Sequence, residues 1–77
     1  MEIRYDSEAD ALYVRLRGTE HARTDELDAR RLVDYDASNE VIGVEFLFVS
    51  KGVSLEGVPE AKQVADALAA VPHPSAA

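Results

Sequence analysis

The chain repeats itself at an offset of thirty residues. Tyr5-Asp6 recurs as Tyr35-Asp36, Asp10 as Glu40, and Leu12, Val14 and Leu16 as Ile42, Val44 and Phe46. Each copy reads as an extended strand, a short polar turn and a second strand with apolar residues at alternate positions. Ile3 and Tyr5 share a face of the first incoming strand, and Val33 and Tyr35 a face of the second. Leu12, Val14 and Leu16 share a face of one outgoing strand; Ile42, Val44, Phe46 and Phe48 share a face of the other. All of these side chains can point at one interior. The turns, Asp6-Ser7-Glu8-Ala9-Asp10 and Asp36-Ala37-Ser38-Asn39-Glu40, are rich in side chains that cap nearby backbone groups. The repeat therefore predicts two β-hairpins. Between them, Gly18 to Glu26 has no apolar period and reads as a loop, with the next strand expected from about Arg31 or a little earlier.

A helix is expected after the second hairpin. Pro59 suits its first position, Glu60 complements the positive end of its dipole, and Ala61, Val64, Ala65, Leu68 and Val71 form an apolar stripe. Lys62, Gln63 and Asp66 fall off that stripe and face water. Pro72 and Pro74 stop the helix and leave 72–77 as a flexible tail. A helix of about a dozen residues is marginal alone, so it must dock on the sheet. The expected fold is α+β: one domain over 1–71, with a four-stranded antiparallel sheet from two β-hairpins and one C-terminal helix packed on one face. The fourth strand should be central, since Val41, Leu47 and Val49 make its other face apolar as well. That second face calls for cover, and another copy of the chain is the simplest cover, so a homodimer is expected.

Size and charge narrow the function. A chain of 77 residues buries only about 60% of its unfolded surface, and with no cysteine it has neither disulfides nor a Cys-ligated zinc to help it. Fifteen acids against eight bases give a net charge of −7, which repels phosphate backbones, so no nucleic-acid partner is expected. The apolar run Phe46-Leu47-Phe48-Val49 is far too short for a membrane span. The chain opens with Glu2 and Arg4 and has no apolar signal region, so the cytoplasm is the expected compartment.

No residue pattern reads as catalytic. Asp6, Glu8 and Asp10 alternate in one turn, with Asp34, Asp36 and Glu40 in the other, and oxygen-rich turns can hold calcium or magnesium. A calcium loop would need glycine where Ala11 stands and a bidentate Glu where Arg17 stands, so turn capping is the preferred reading. The same carboxylates could act as acid and base on a glycoside, but a domain this small offers no obvious cleft. His21 and His73 are isolated, and Ser7, Ser38, Ser50 and Ser54 fall in no nucleophile elbow. Gly52 to Gly57 has the glycine spacing of a phosphate loop, but Val58-Pro59 replaces the Lys-Ser/Thr pair. No metal, cofactor or catalytic residue is expected.

Three segments carry a family resemblance: Tyr5-Asp6 with Asp10-Ala11-Leu12-Tyr13-Val14, then Val33-Asp34-Tyr35-Asp36, then Val41-Ile42-Gly43-Val44-Glu45-Phe46-Leu47. Together they resemble the small bacterial proteins of domain-of-unknown-function family 2283, in register over roughly the first fifty residues. The resemblance implies a sheet with a helix in a chain that often stands alone. Some members lie beside genes of ribonuclease-like toxins and are read as antitoxins. No catalytic residues are established in that family, so none carries over. The turn Ala37-Ser38-Asn39-Glu40 departs from the pattern by lacking a glycine, which concerns the geometry of that turn.

The expected function is a non-enzymatic protein-interaction module that self-associates and neutralises a basic partner, in the manner of an antitoxin. The interaction surface is expected at Tyr13, Arg15, Leu47 and Val49, where a tyrosine flanked by arginines adjoins the second apolar face. The alternatives are a divalent-metal-dependent hydrolase using the acidic turns, and a bare structural domain.

Overall fold

Five strands, one more than the repeat predicts, make the sheet of the computed structural model, which describes residues 2–70. The strands are β1 (Glu2–Asp6), β2 (Ala11–Arg15), β3 (Arg23–Asp28), β4 (Arg31–Tyr35) and β5 (Val41–Leu47), followed by a 3₁₀ turn at Val49–Lys51 and the helix α1 (Ala61–Ala69). All neighbours run antiparallel in the order β1-β2-β5-β4-β3, so β5 is central as expected.

The repeat survives as register. Ile3 faces Val14 and Arg4 faces Tyr13 in the first hairpin; thirty residues on, Val33 faces Val44 and Asp34 faces Gly43. The turns match too, since Asp6 accepts the amide of Glu8 (3.0 Å) as Asp36 accepts that of Ser38 (2.9 Å). Where the two hairpins join, Val14 faces Val44. A pseudo-two-fold axis therefore passes through that pair, and both side chains are fully buried. Val14, Val44 and Val33, with Ile3 beside them, form one apolar row across four strands, and Leu12 with Phe46 begins a second.

The equivalence fails at the second turn, for a local reason. A register shift between Asp34 and Tyr35 makes Ile42 an extra residue of β5, so that Tyr35 faces Val41. Val41 joins the core cluster, while Ile42, although buried, stands outside it. The glycine missing from this turn is replaced by Asn39, which takes the left-handed conformation (φ 63) that its side chain tolerates.

Four expectations need correction. The segment read as a loop between the hairpins contains β3. Its residues are all exposed, so no apolar period marks it. Polar cross-strand pairs make it a strand instead. Arg23 stacks on the Tyr35 ring at 4.2 Å, and the Thr24 hydroxyl donates to Asp34 Oδ1 at 2.5 Å. The Arg31 guanidinium clasps Asp28 at 2.6 Å. Second, Phe48 does not point inward: the chain reverses there in left-handed conformation (φ 55), leaving it 49% exposed. Third, of the three residues expected to make a second apolar face only Leu47 lies there, because Val41 is in the core and Val49 packs against it. Fourth, the helix begins at Ala61; Pro59 and Glu60 precede it, and Glu60 is left-handed (φ 56).

The helix packs Val64 and Ala67 into the core with Ala61 and Leu68 beside them, and Lys62, Gln63 and Asp66 face water. It reaches mainly β1 and β2. Val53, Leu55 and Val58, from the irregular segment before it, complete the cover of the same face. Arg31 holds that segment down by donating to the carbonyls of Ser54 (3.1 Å) and Glu56. Arg17 fastens the helix start, donating to the Val41 carbonyl (2.7 Å) and to Glu60 (2.9 Å) while pairing with Glu40 (3.0 Å). Val71, the prolines expected to end the helix, and the tail 72–77 lie outside the described residues.

Candidate functional site

The face of the sheet turned away from the core is polar, and its centre is Asp34. Tyr13 on β2 lies diagonally across β5 and donates its phenol proton to Asp34 Oδ2 at 3.0 Å. It can do so because Gly43 lies beneath it. A Cβ at that position would fall 2.6 Å from Tyr13 Cζ and 2.7 Å from the Val14 carbonyl oxygen. The other Asp34 oxygen accepts the Thr24 hydroxyl. With the Thr24 proton committed there, His21 Nε2 donates to the Thr24 oxygen at 2.7 Å, and it lies 3.6 Å from Asp34. Tyr13, Asp34, Thr24 and His21 thus form one network that spans the sheet from β2 to β3.

Burial and the adjacent Asp34 carboxylate push the Tyr13 phenol up to about 12. This favours the neutral, proton-donating form and does not ready the group for general-base work. The network lies on a sheet face. It joins strands, and nothing in its geometry positions a nucleophile.

The expected interaction residues divide between two faces. Tyr13, Arg15 and Leu47 share the polar face, since Leu47 opposes Ala11 and Tyr13 opposes Glu45. Val49 does not join them and packs against the core. Arg15 pairs with Glu2 at 3.5 Å, both side chains well exposed, an arrangement that contributes little to stability.

The acidic turns are occupied by backbone. Asp6 accepts the amides of Glu8 and Ala9, and Asp10 accepts both the amide (2.9 Å) and hydroxyl (2.6 Å) of Ser50. Asp36, the one buried charged residue among those described, accepts Ser38 and Glu40 amides and the Thr19 hydroxyl at 2.8 Å. These bonds, the Glu40 amide foremost, hold its carboxyl below the ordinary carboxylate range. Among the described residues no group of three or more His, Asp or Glu side chains is placed to hold a metal ion. His21 sits in the network above, and His73 lies outside the described residues.

Strand β3 is an open edge of the sheet. Its six residues are exposed, and three of them are acids. The one base, Arg23, is engaged by Asp25, the Tyr35 ring and Asn39. This edge escapes sequence reading because the signal for it lies in pairs far apart in the chain. Gly43, equivalent to Tyr13 in the repeat, is the one sign in the sequence of the crossing ring. No helix of the described residues is long and apolar enough to cross a membrane.

No curated protein and no solved structure matches the chain. The model of a protein family of unknown function, DUF2283, matches residues 2–50, which run from the start of β1 into the turn after β5 and so take in both hairpins and the Tyr13–Asp34 network. The chain belongs to that family.

Proposed function

We propose that the protein performs no chemistry of its own and acts as an interaction module for a basic protein, which it engages along β3. The observation that carries this reading is the exposed acidic edge Arg23–Asp28. An open edge offers unpaired backbone groups to an incoming strand, and side chains select which strand. Charges on an edge normally guard against pairing with other chains. Here Asp25 and Glu26 repel another acidic copy and admit a cationic segment. The net charge of −7 adds long-range attraction that speeds encounter at low salt. Neutralisation of a basic toxin is the more specific form of this reading, supported by the gene neighbourhoods described above for the family.

The experiment is co-expression with a basic protein encoded next to this gene. The pair should co-purify, associate more slowly as salt rises, and separate when Asp25 and Glu26 are both changed to lysine. Recovery of the protein alone at low salt removes the reading. Self-association moves to an edge as well, because Val41 and Val49 no longer supply an apolar face. A second copy would pair along β1, giving a sedimentation mass near twice 8.4 kDa; a mass of one copy eliminates that version.

A further inference from the structure

The eight lysine and arginine side chains of this chain are not distributed evenly among its acids. Arg4, Arg15, Arg17, Arg23, Arg31 and Lys62 each have a carboxylate within ion-pairing distance. Arg30 and Lys51 have none among the described residues, although acids outnumber bases by fifteen to eight. The two come from different elements, the β3–β4 turn and the 3₁₀ turn after β5, and both line the same cleft.

That cleft encloses about 390 Å³, inside the range of roughly 300–1,000 Å³ usual for small-molecule sites. Phe46, Leu47 and Val53 supply its apolar lining. Arg31 is a fixed third cation in its wall, held by Asp28 and by the Ser54 and Glu56 carbonyls. Asp28 lies in the wall beside it, and Glu56 also acts on Arg31 electrostatically, so Arg31 is largely compensated within the protein. Arg30 and Lys51 are not. Gly52 forms part of the wall at φ 110, a conformation closed to other residues, so the chain's path around the cleft depends on it.

We propose that this cleft binds a small organic anion, a carboxylate or phosphate group carried on an apolar body. The headgroup lies between Arg30 and Lys51, and the body lies on Leu47 and Val53. Two exposed cations hold an anion weakly in water, so the apolar contact is what separates such a ligand from free phosphate. Its lining includes none of Tyr13, Asp34, Thr24 and His21, and the proposal does not rest on β3 taking up a partner strand.

The full chain would be titrated with phenyl phosphate, benzoate and inorganic phosphate while its backbone amides are followed by NMR. At least one of the two aromatic anions should give saturable shifts centred on Leu47, Gly52 and Val53. Inorganic phosphate should bind at least about tenfold more weakly than it does. Changing Arg30 and Lys51 together to glutamine should weaken the aromatic anion about tenfold or more, with the thermal midpoint unchanged because both side chains are exposed. Exchanging them, Arg30→Lys with Lys51→Arg, should preserve binding. The proposal is overturned if all three anions give the same unsaturable shifts, if the shifts lie elsewhere on the sheet, or if the glutamine variant binds like the parent.

Discussion

Tyr13 and Gly43 act as one unit, since the ring of the first occupies the space the second leaves open. Gly43→Ala would drive a methyl group into the ring and the Val14 carbonyl, and the carbonyl cannot swing aside. Overpacking of this kind costs about 1–3 kcal/mol, and a lower urea midpoint would register it. Tyr13→Phe keeps the ring and removes the hydrogen bond to a carboxylate, a loss of about 1–2 kcal/mol near neutral pH. The phenol has a second signature. Its value in the fold lies above the ordinary 10.0, so its contribution is whole below that pH and disappears as pH rises through about 12. Urea unfolding across this window should show a decline in the parent protein that is smaller in Tyr13→Phe. Equal declines would mean that Tyr13 titrates as a free phenol.

Among the elements, β3 is the least secured. It has one neighbour, no buried residue, and side-chain contacts that each contribute a few tenths of a kcal/mol to about 1 kcal/mol. Hydrogen exchange should therefore be fastest there among the strands, while the amides of β5 exchange near the global unfolding limit. Protection of β3 equal to that of β5 would contradict this account. The same contrast explains what could be read from the chain. Strands β2, β4 and β5 each turn alternate side chains to the core and β1 adds Ile3, although Tyr5, expected beside it, is exposed; alternation is visible in a string of letters. The sequence of β3 alternates nothing, because neither of its faces is buried; its evidence is Thr24 meeting Asp34 and Arg23 meeting Tyr35, which appear only once β4 is in place. The apolar residues Val41, Leu47 and Val49 pointed to β5 as the centre, which it is, but Val41 and Val49 serve the core, and the string of letters does not show the extra residue at Ile42 that brings Val41 there. The expected apolar second face was lost through that single insertion and the reversal at Phe48. The unpaired state of Arg30 and Lys51 is likewise a property of three dimensions.

For the molecule as a whole, acid is the natural stress. Asp36 ties the second turn to Thr19, and its carboxyl lies below the ordinary 3.8 in the fold. Its stabilisation is present above that value and is lost as pH falls through the lower folded one. Asp28, held down by Arg31, behaves in the same sense. Thermal midpoints should therefore drop on acidification below pH 3.8, and Asp36→Asn should start lower and drop by less. An identical acid response in that variant would remove Asp36 from the account.

The crossing ring also limits how alike the two hairpins can become. Copying either half over the other, the usual route to idealised modular proteins, would install tyrosine at both places or glycine at both. Two tyrosines would contend for one gap, and two glycines would leave Asp34 without its phenol. The halves share a register, yet at this position they are complementary and not interchangeable, so a perfectly symmetrical version of this chain would need a different way to fasten β4 across β5 to β2.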